Sequence, residues 1–135
     1  MTRLLAALLA LILVLPAMAQ PPAPNAAQPT PDDRARQWLT LIDDSNYRAG
    51  IEQMGPQTAK GSIEALSRLR EPLGAMATRN LKEIRLEKTH PGLPVGQYAV
   101  VRYDSTFANR AKATETLTLA MLKSGAWTVI AYQVE

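Results

Sequence analysis

From Leu4 to Leu15 the chain is apolar without interruption, and from Gln20 to Thr30 it is uncharged and rich in proline. Only after Thr30 do hydrophobic and polar positions recur with a period that a folded element can use. Thr30-Pro31-Asp32-Asp33 is a helix start: a Thr cap, proline at the first helical position and two carboxylates at the positive end of the helix dipole. Ala35, Trp38, Leu41 and Ile42 then fall on one face until Asp43-Asp44-Ser45-Asn46 breaks the pattern. A second short helix, Tyr47 to Met54, presents Tyr47, Ile51 and Met54 and stops at Gly55-Pro56. A third, from about Ser62 to Glu71, aligns Ile63, Leu66, Leu69 and Leu73 and ends at Pro72 and Gly74.

Beyond Gly74 the period changes from helical to alternating and predicts four strands. The first, Asn80 to Lys88, sets Ile84 and Leu86 against Glu83, Arg85 and Glu87, with its basic residues Arg79, Lys82, Arg85 and Lys88 forming a charged edge. The second, Gln97 to Phe107, places Ala99, Val101, Tyr103 and Phe107 on one face. The third, Ala113 to Leu122, separates Leu117, Leu119 and Met121 from Thr114, Thr116 and Thr118. Ser124-Gly125 reads as a two-residue hairpin turn into the fourth, Trp127 to Val134. Helices followed by an antiparallel meander define an α+β domain, three N-terminal helices on a four-stranded sheet, over residues 31–135.

The preceding segments are of another kind. Arg3, the apolar run and the small residues Ala17 and Ala19 have the three-part form of a secretory signal peptide over residues 1–19, too short for the ~20 residues of a spanning helix. Residues 20–30, with four prolines, read as an extended, flexible leader. Cleavage after Ala19 is expected to release a soluble periplasmic or secreted protein with no membrane attachment.

Composition narrows the chemistry. The 135 residues carry 15 basic and 12 acidic side chains, net +3, with no run of like charge and no basic stripe interleaved with aromatics, so nucleic acid is not an expected partner. With no cysteine, disulfides and thiolate metal sites are excluded, and no motif for a phosphate loop, a dinucleotide turn or a serine-hydrolase elbow occurs. His90, the single histidine, precedes Pro91 in a Gly/Pro-rich loop and lacks the orienting partner of a general base. Asp43-Asp44 alone makes no metal site and reads as a helix end, so no metal and no cofactor are expected.

Glu115 is the informative polar residue, because alternation puts it on the face of Leu117, Leu119 and Met121. A carboxylate there needs a partner: it meets a guanidinium, with Arg70 and Arg79 the candidates, or it opens into a polar cavity as a ligand anchor. Most of the aromatics fall on element faces and suit a core. If a pocket stays open between helices and sheet, Tyr98, Tyr103 and Trp127 line it for a small amphipathic ligand, with Arg70, Arg79 and Glu115 at its mouth.

The order and spacing of Trp38-Leu39, Leu41-Ile42-Asp43, Tyr47, Arg70-Glu71-Pro72-Leu73-Gly74 and Arg79, then Pro91-Gly92-Leu93-Pro94, Gly96 and Tyr98, resemble a known family. Phe107-Ala108-Asn109-Arg110, Glu115-Thr116, Trp127, Val129 and Tyr132 complete the pattern. It is the exported bacterial family of domain of unknown function 4019 (DUF4019). Ile51 and Ile63 stand where that family's pattern has aromatics, and the stretch from Met54 to Ser62 is short. The resemblance implies export and a cone-like α+β fold of the cystatin-like, or nuclear-transport-factor-2-like (NTF2-like), type, and it attaches no activity. Two functions are consistent with this: a non-enzymatic binding or accessory module for a small ligand or an envelope protein, or a small pocket enzyme of the isomerase or dehydratase kind. In the enzyme, Glu115 acts as acid or base and Tyr98 or Tyr103 polarises the substrate. A homodimer through the open sheet face is a further expectation.

Overall fold

A computed structural model describes residues 27–55 and 63–135. The proposed signal peptide, most of the leader and the expected Ser62 helix start lie outside the described residues. Three helices, α1 (Pro31–Asp43), α2 (Tyr47–Glu52) and α3 (Ile63–Arg70), a 3-10 turn at Glu71–Leu73, and strands β1 (Met76–Glu87), β2 (Tyr98–Phe107), β3 (Arg110–Met121) and β4 (Trp127–Val134) follow in that order. The sheet is antiparallel and open, ordered β1-β2-β3-β4, so β1 and β4 are its edges.

α1 starts where its sequence says. Thr30 Oγ1 accepts from Asp33 N at 3.1 Å and Asp33 Oδ2 accepts from Thr30 N at 3.0 Å, a reciprocal cap that satisfies two otherwise unpaired N–H groups. Its buried stripe is Ala35, Trp38, Leu39 and Ile42, with Leu39 in place of the expected Leu41. This is the i, i+3, i+4, i+7 series, which one helix face presents to a flat layer. α1 lies across the inner face of the sheet and touches all four strands. There it covers Ala99, Val101, Tyr103, Leu117, Leu119 and Val129, which with Leu66 form the main core. In α3, Leu66 and Arg70 are buried while Ile63, expected inward, is exposed.

α2 holds its place by a close backbone approach. Trp38 Nε1 donates to Gly50 O at 2.9 Å, and a Cβ on Gly50 would lie 2.5 Å from Ile42 Cδ1. Ile42 is packed in the core, so its side chain must shift from its present position to admit the methyl group. Gly50→Ala is therefore expected to destabilise the fold by about 1–3 kcal/mol through overpacking, measured by urea denaturation.

Two connections differ from expectation. β1 begins four positions before Asn80, and the β3–β4 loop has three residues, Lys123-Ser124-Gly125. It is closed by Leu122 N donating to Ala126 O at 2.8 Å, with Gly125 at φ 86°. A three-residue hairpin needs a left-handed residue at its last position, which glycine supplies without steric penalty.

The register contains bulges that govern which residues face the core. In β1, Leu81 opposes Tyr103 and Glu83 opposes Arg102, leaving Lys82 unpaired; in β4, Ala131 opposes Thr118 and Val129 opposes Leu119, leaving Ile130 unpaired. Each extra residue reverses the in–out alternation beyond it. Arg79 and Tyr132 consequently share the inner face with Ser105 and Glu115.

Candidate functional site

The inner face carries a cluster of charge at the end of the sheet where Glu115 sits. Six elements build it: Asp43 from the last turn of α1, Arg70 from the end of α3, Arg79 from β1, and Ser105, Glu115 and Tyr132 from β2, β3 and β4. Glu115 is wholly buried. Its Oε2 accepts from Arg79 Nε at 2.6 Å and Ser105 Oγ at 2.6 Å. Its Oε1 accepts from Tyr132 Oη at 2.7 Å, Arg79 Nη2 at 3.0 Å and Arg70 Nη1 at 3.4 Å. Asp43 closes the ring on the other side, accepting from Arg70 Nη2 at 2.8 Å and from Arg79 Nη1 and Nη2 at 2.7 and 3.0 Å.

Two carboxylates and two guanidinium groups balance to zero charge, and each carboxylate meets both arginines. Such an arrangement offsets desolvation because nearly every lone pair and proton is used. Arg70 Nε is the buried exception, and the Phe107 ring lies 4.5 Å from the Arg70 guanidinium carbon. Burial pushes the Glu115 carboxyl up, but the bonds from Arg79, Ser105 and Tyr132 and the charge of Arg79 outweigh it and hold the carboxyl below the ordinary glutamate range. Burial and the Glu115 charge push the Tyr132 phenol well above its usual range, so it stays a donor.

A pH dependence follows. A carboxyl with a lowered pKa in the fold contributes stability that is complete above the unfolded-chain value, ~4.3, and lost as pH falls through the folded value. The unfolding free energy is expected to be flat between about pH 7 and 5 and to fall below about pH 4, with Glu115→Gln flattening that fall. Denaturation at stepped pH, followed by circular dichroism, measures it.

The six residues singled out from the sequence do not converge on one pocket. Arg70, Arg79 and Glu115 meet in the cluster. Tyr103 is buried beneath α1, its Oη donating to Asp32 Oδ1 at 2.6 Å with Arg36 over its ring. Tyr98 is on the outer face with Ala120 and Ile130, its Oη donating to Pro94 O at 2.6 Å. Trp127 packs at the rim of the main core. Alternation already separates Tyr98 from Tyr103, since an odd separation along a regular strand puts side chains on opposite faces. Arg79, read as part of a charged edge, is instead buried, its side chain 7% exposed.

Asp43 and Tyr132 were not anticipated. Asp43 does end α1, with Asp44 as its C-cap, but an aspartate in the last turn faces the negative end of the dipole. That adverse position was the available signal that a cation must lie beside it. His90, expected to have no orienting partner, is half-buried against the Tyr98 ring with its Nδ1 3.1 Å from Glu87 Oε2. Among the described residues no group of three His, Cys, Asp or Glu is placed to hold a metal ion.

Three open depressions border these residues. One of about 310 Å³ is lined by Asp43, Ser45, Tyr47, Arg70 and Glu71. A polar one of about 450 Å³ lies over Thr78, Asn80, Asp104, Thr106 and Thr114. The third, about 270 Å³, brings Tyr98 and Trp127 together with Leu86, Glu87, Lys88 and Gln97.

The fold and site define an α+β domain with an open antiparallel sheet, a helix across one face and a charge-neutral polar cluster between them. The model of the family described as "Protein of unknown function (DUF4019)" matches residues 34–132, and the chain belongs to that family. The match spans every residue of the cluster. No curated protein and no solved structure matches the chain.

Proposed function

We propose that the chain is an exported, non-catalytic binding or accessory module whose buried charges serve the fold. The observation that carries this reading is the closure of the cluster: Glu115 has no exposed surface, and both its oxygens are filled by donors. A catalytic acid or base must reach a substrate proton and titrate near the working pH. Glu115 does neither in this geometry, and Tyr103, bound to Asp32 under α1, has no free face to polarise a substrate. The isomerase or dehydratase reading therefore has no support from the geometry at these residues. Export is supported by the leader pattern of residues 1–19. The helix-on-sheet layering supports the cystatin-like, NTF2-like reading.

The ligand-binding part of the proposal rests on the depression beneath Tyr98 and Trp127, apolar at Leu86 and with one residue of each charge, Glu87 and Lys88, at its wall, a combination suited to a small amphipathic ligand. Native mass spectrometry of the protein purified undenatured from the exported fraction tests it. The expected result is a chain beginning at Gln20 with a reproducible added mass that is lost on unfolding and lost in Trp127→Ala. A bare polypeptide mass overturns the ligand reading, and a chain retaining Met1 inside the cell overturns export.

A further inference from the structure

The two edges of the sheet are treated differently. Along β4 the chain's own backbone intervenes: Gly55 N donates to Val129 O at 2.9 Å, and Thr128 Oγ1 donates to Gln53 O at 3.2 Å. Along the outer side of β1 no described element pairs, although β1 is 12 residues long. An unpaired strand of that length is a template for another strand.

β1 also carries the core face past its cover. Leu81, Ile84 and Leu86 oppose Tyr103, Val101 and Ala99 and so point to the inner side, yet they are 43%, 41% and 68% exposed. On the outer side the same strand alternates Glu83, Arg85 and Glu87, and this order decides how β1 can pair with itself. Two copies related by a two-fold axis must align antiparallel, residue i of one facing j of the other and the reverse. An axis at Arg85 sets Arg85 against Arg85 and Glu83 against Glu87, like charges in every pair, which is unfavourable. An axis at Leu86 leaves only the end of the strand overlapping. An axis at Ile84 sets Glu83 against Arg85 twice and, with Lys82 bulged out of the pairing, Leu81 against Leu86, so that β1 overlaps from Leu81 to Leu86 with its faces matched.

We propose that a second copy of this chain docks along β1, the two strands pairing antiparallel about Ile84 into one continuous sheet. The two-fold axis runs perpendicular to the sheet, so the helices of both copies lie on one side. Leu81, Ile84 and Leu86 of each copy then line a shared trough between the two α1 helices and leave water together. This surface is distinct from the buried cluster and from the open sheet face.

Light scattering after size exclusion is expected to give twice the chain mass. Glu83→Arg alone and Arg85→Glu alone each place like charges opposite one another and are expected to weaken the dimer at least tenfold, whereas the double exchange restores it. Because the chain has no cysteine, Ile84→Cys is expected to form a disulfide-linked dimer under mild oxidation, while Val95→Cys, on an exposed loop, does not. The substituted side chains are not packed in the core, so folding is checked by an unchanged far-ultraviolet circular dichroism spectrum, while the melting temperature of each single charge reversal is expected to fall with the loss of the dimer. A monomeric wild-type mass, a dimer indifferent to both charge reversals, or a mixed complex in which β1 pairs with another protein's strand overturns the proposal.

Discussion

Glu115→Gln is expected to destabilise the protein by about 3–5 kcal/mol, the usual loss when one member of a buried ion pair is removed. In a domain of this size that is a fall of roughly 15–30 °C in Tm. The carboxylate receives donors on both oxygens: Arg79 Nε and Ser105 on one, Tyr132, Arg79 and Arg70 on the other. Glutamine keeps the shape but turns one oxygen into an amide donor, and either orientation points that donor at two or more existing donors. The substitution also leaves a buried excess of positive charge. Thermal and urea denaturation measure the loss. Glu87→Gln, at a half-buried partner of Arg85 and His90 outside the core, is the control and is expected to change stability by under about 1 kcal/mol. A loss below about 1 kcal/mol at Glu115 would mean that the cluster does not hold the sheet to the helices.

Arg79→Met alone is expected to be about as damaging, since it strands Asp43 and Glu115 beside the single cation Arg70. Combined with Glu115→Gln, it is expected to be less damaging than the two losses added, by about 1–3 kcal/mol. The double variant removes one charge of each sign and leaves Asp43 paired with Arg70, which meet at 2.8 Å. The Ser105 and Tyr132 hydroxyls lose an ionised acceptor, so recovery is partial. A double-mutant cycle in urea supplies the coupling. Strict additivity would show that the residues do not act as one cluster.

What could be read beforehand follows from periodicity. Trp38 and Ile42 on one helix face, Val101, Tyr103, Leu117 and Leu119 on strand faces, and Glu115 among them obey spacings local to one element. A carboxylate at a core parity announces a buried partner, and Arg70 and Arg79 were the right candidates. The same rule separates Tyr98 from Tyr103, and the shared pocket fails for that reason. The start of α1 was equally legible, because a cap satisfies backbone groups only three residues away.

Arg79 and Tyr132 were hidden by bulges. On strict alternation from Ile84 and Leu86, Arg79 points outward with Arg85, and from Val129, Tyr132 points away from the helix. The unpaired Lys82 and Ile130 reverse both. A bulge is settled by how the partner strand's side chains pack and pair, information that neither strand carries alone. Asp43 is similar: its sequence marks a helix end, and its role appears only when α3 and β1 bring two guanidinium groups to it.

The amino-acid sequence by itself determined the elements, the α+β order, the family and the buried carboxylate, because these depend on propensity and on spacing within single segments. The tertiary structure alone decided that four charges from α1, α3, β1 and β3 close into one neutral cluster, and that β1 leaves apolar residues uncovered at an unpaired edge. Both depend on register between distant segments, where a shift of one residue turns a side chain from solvent to core.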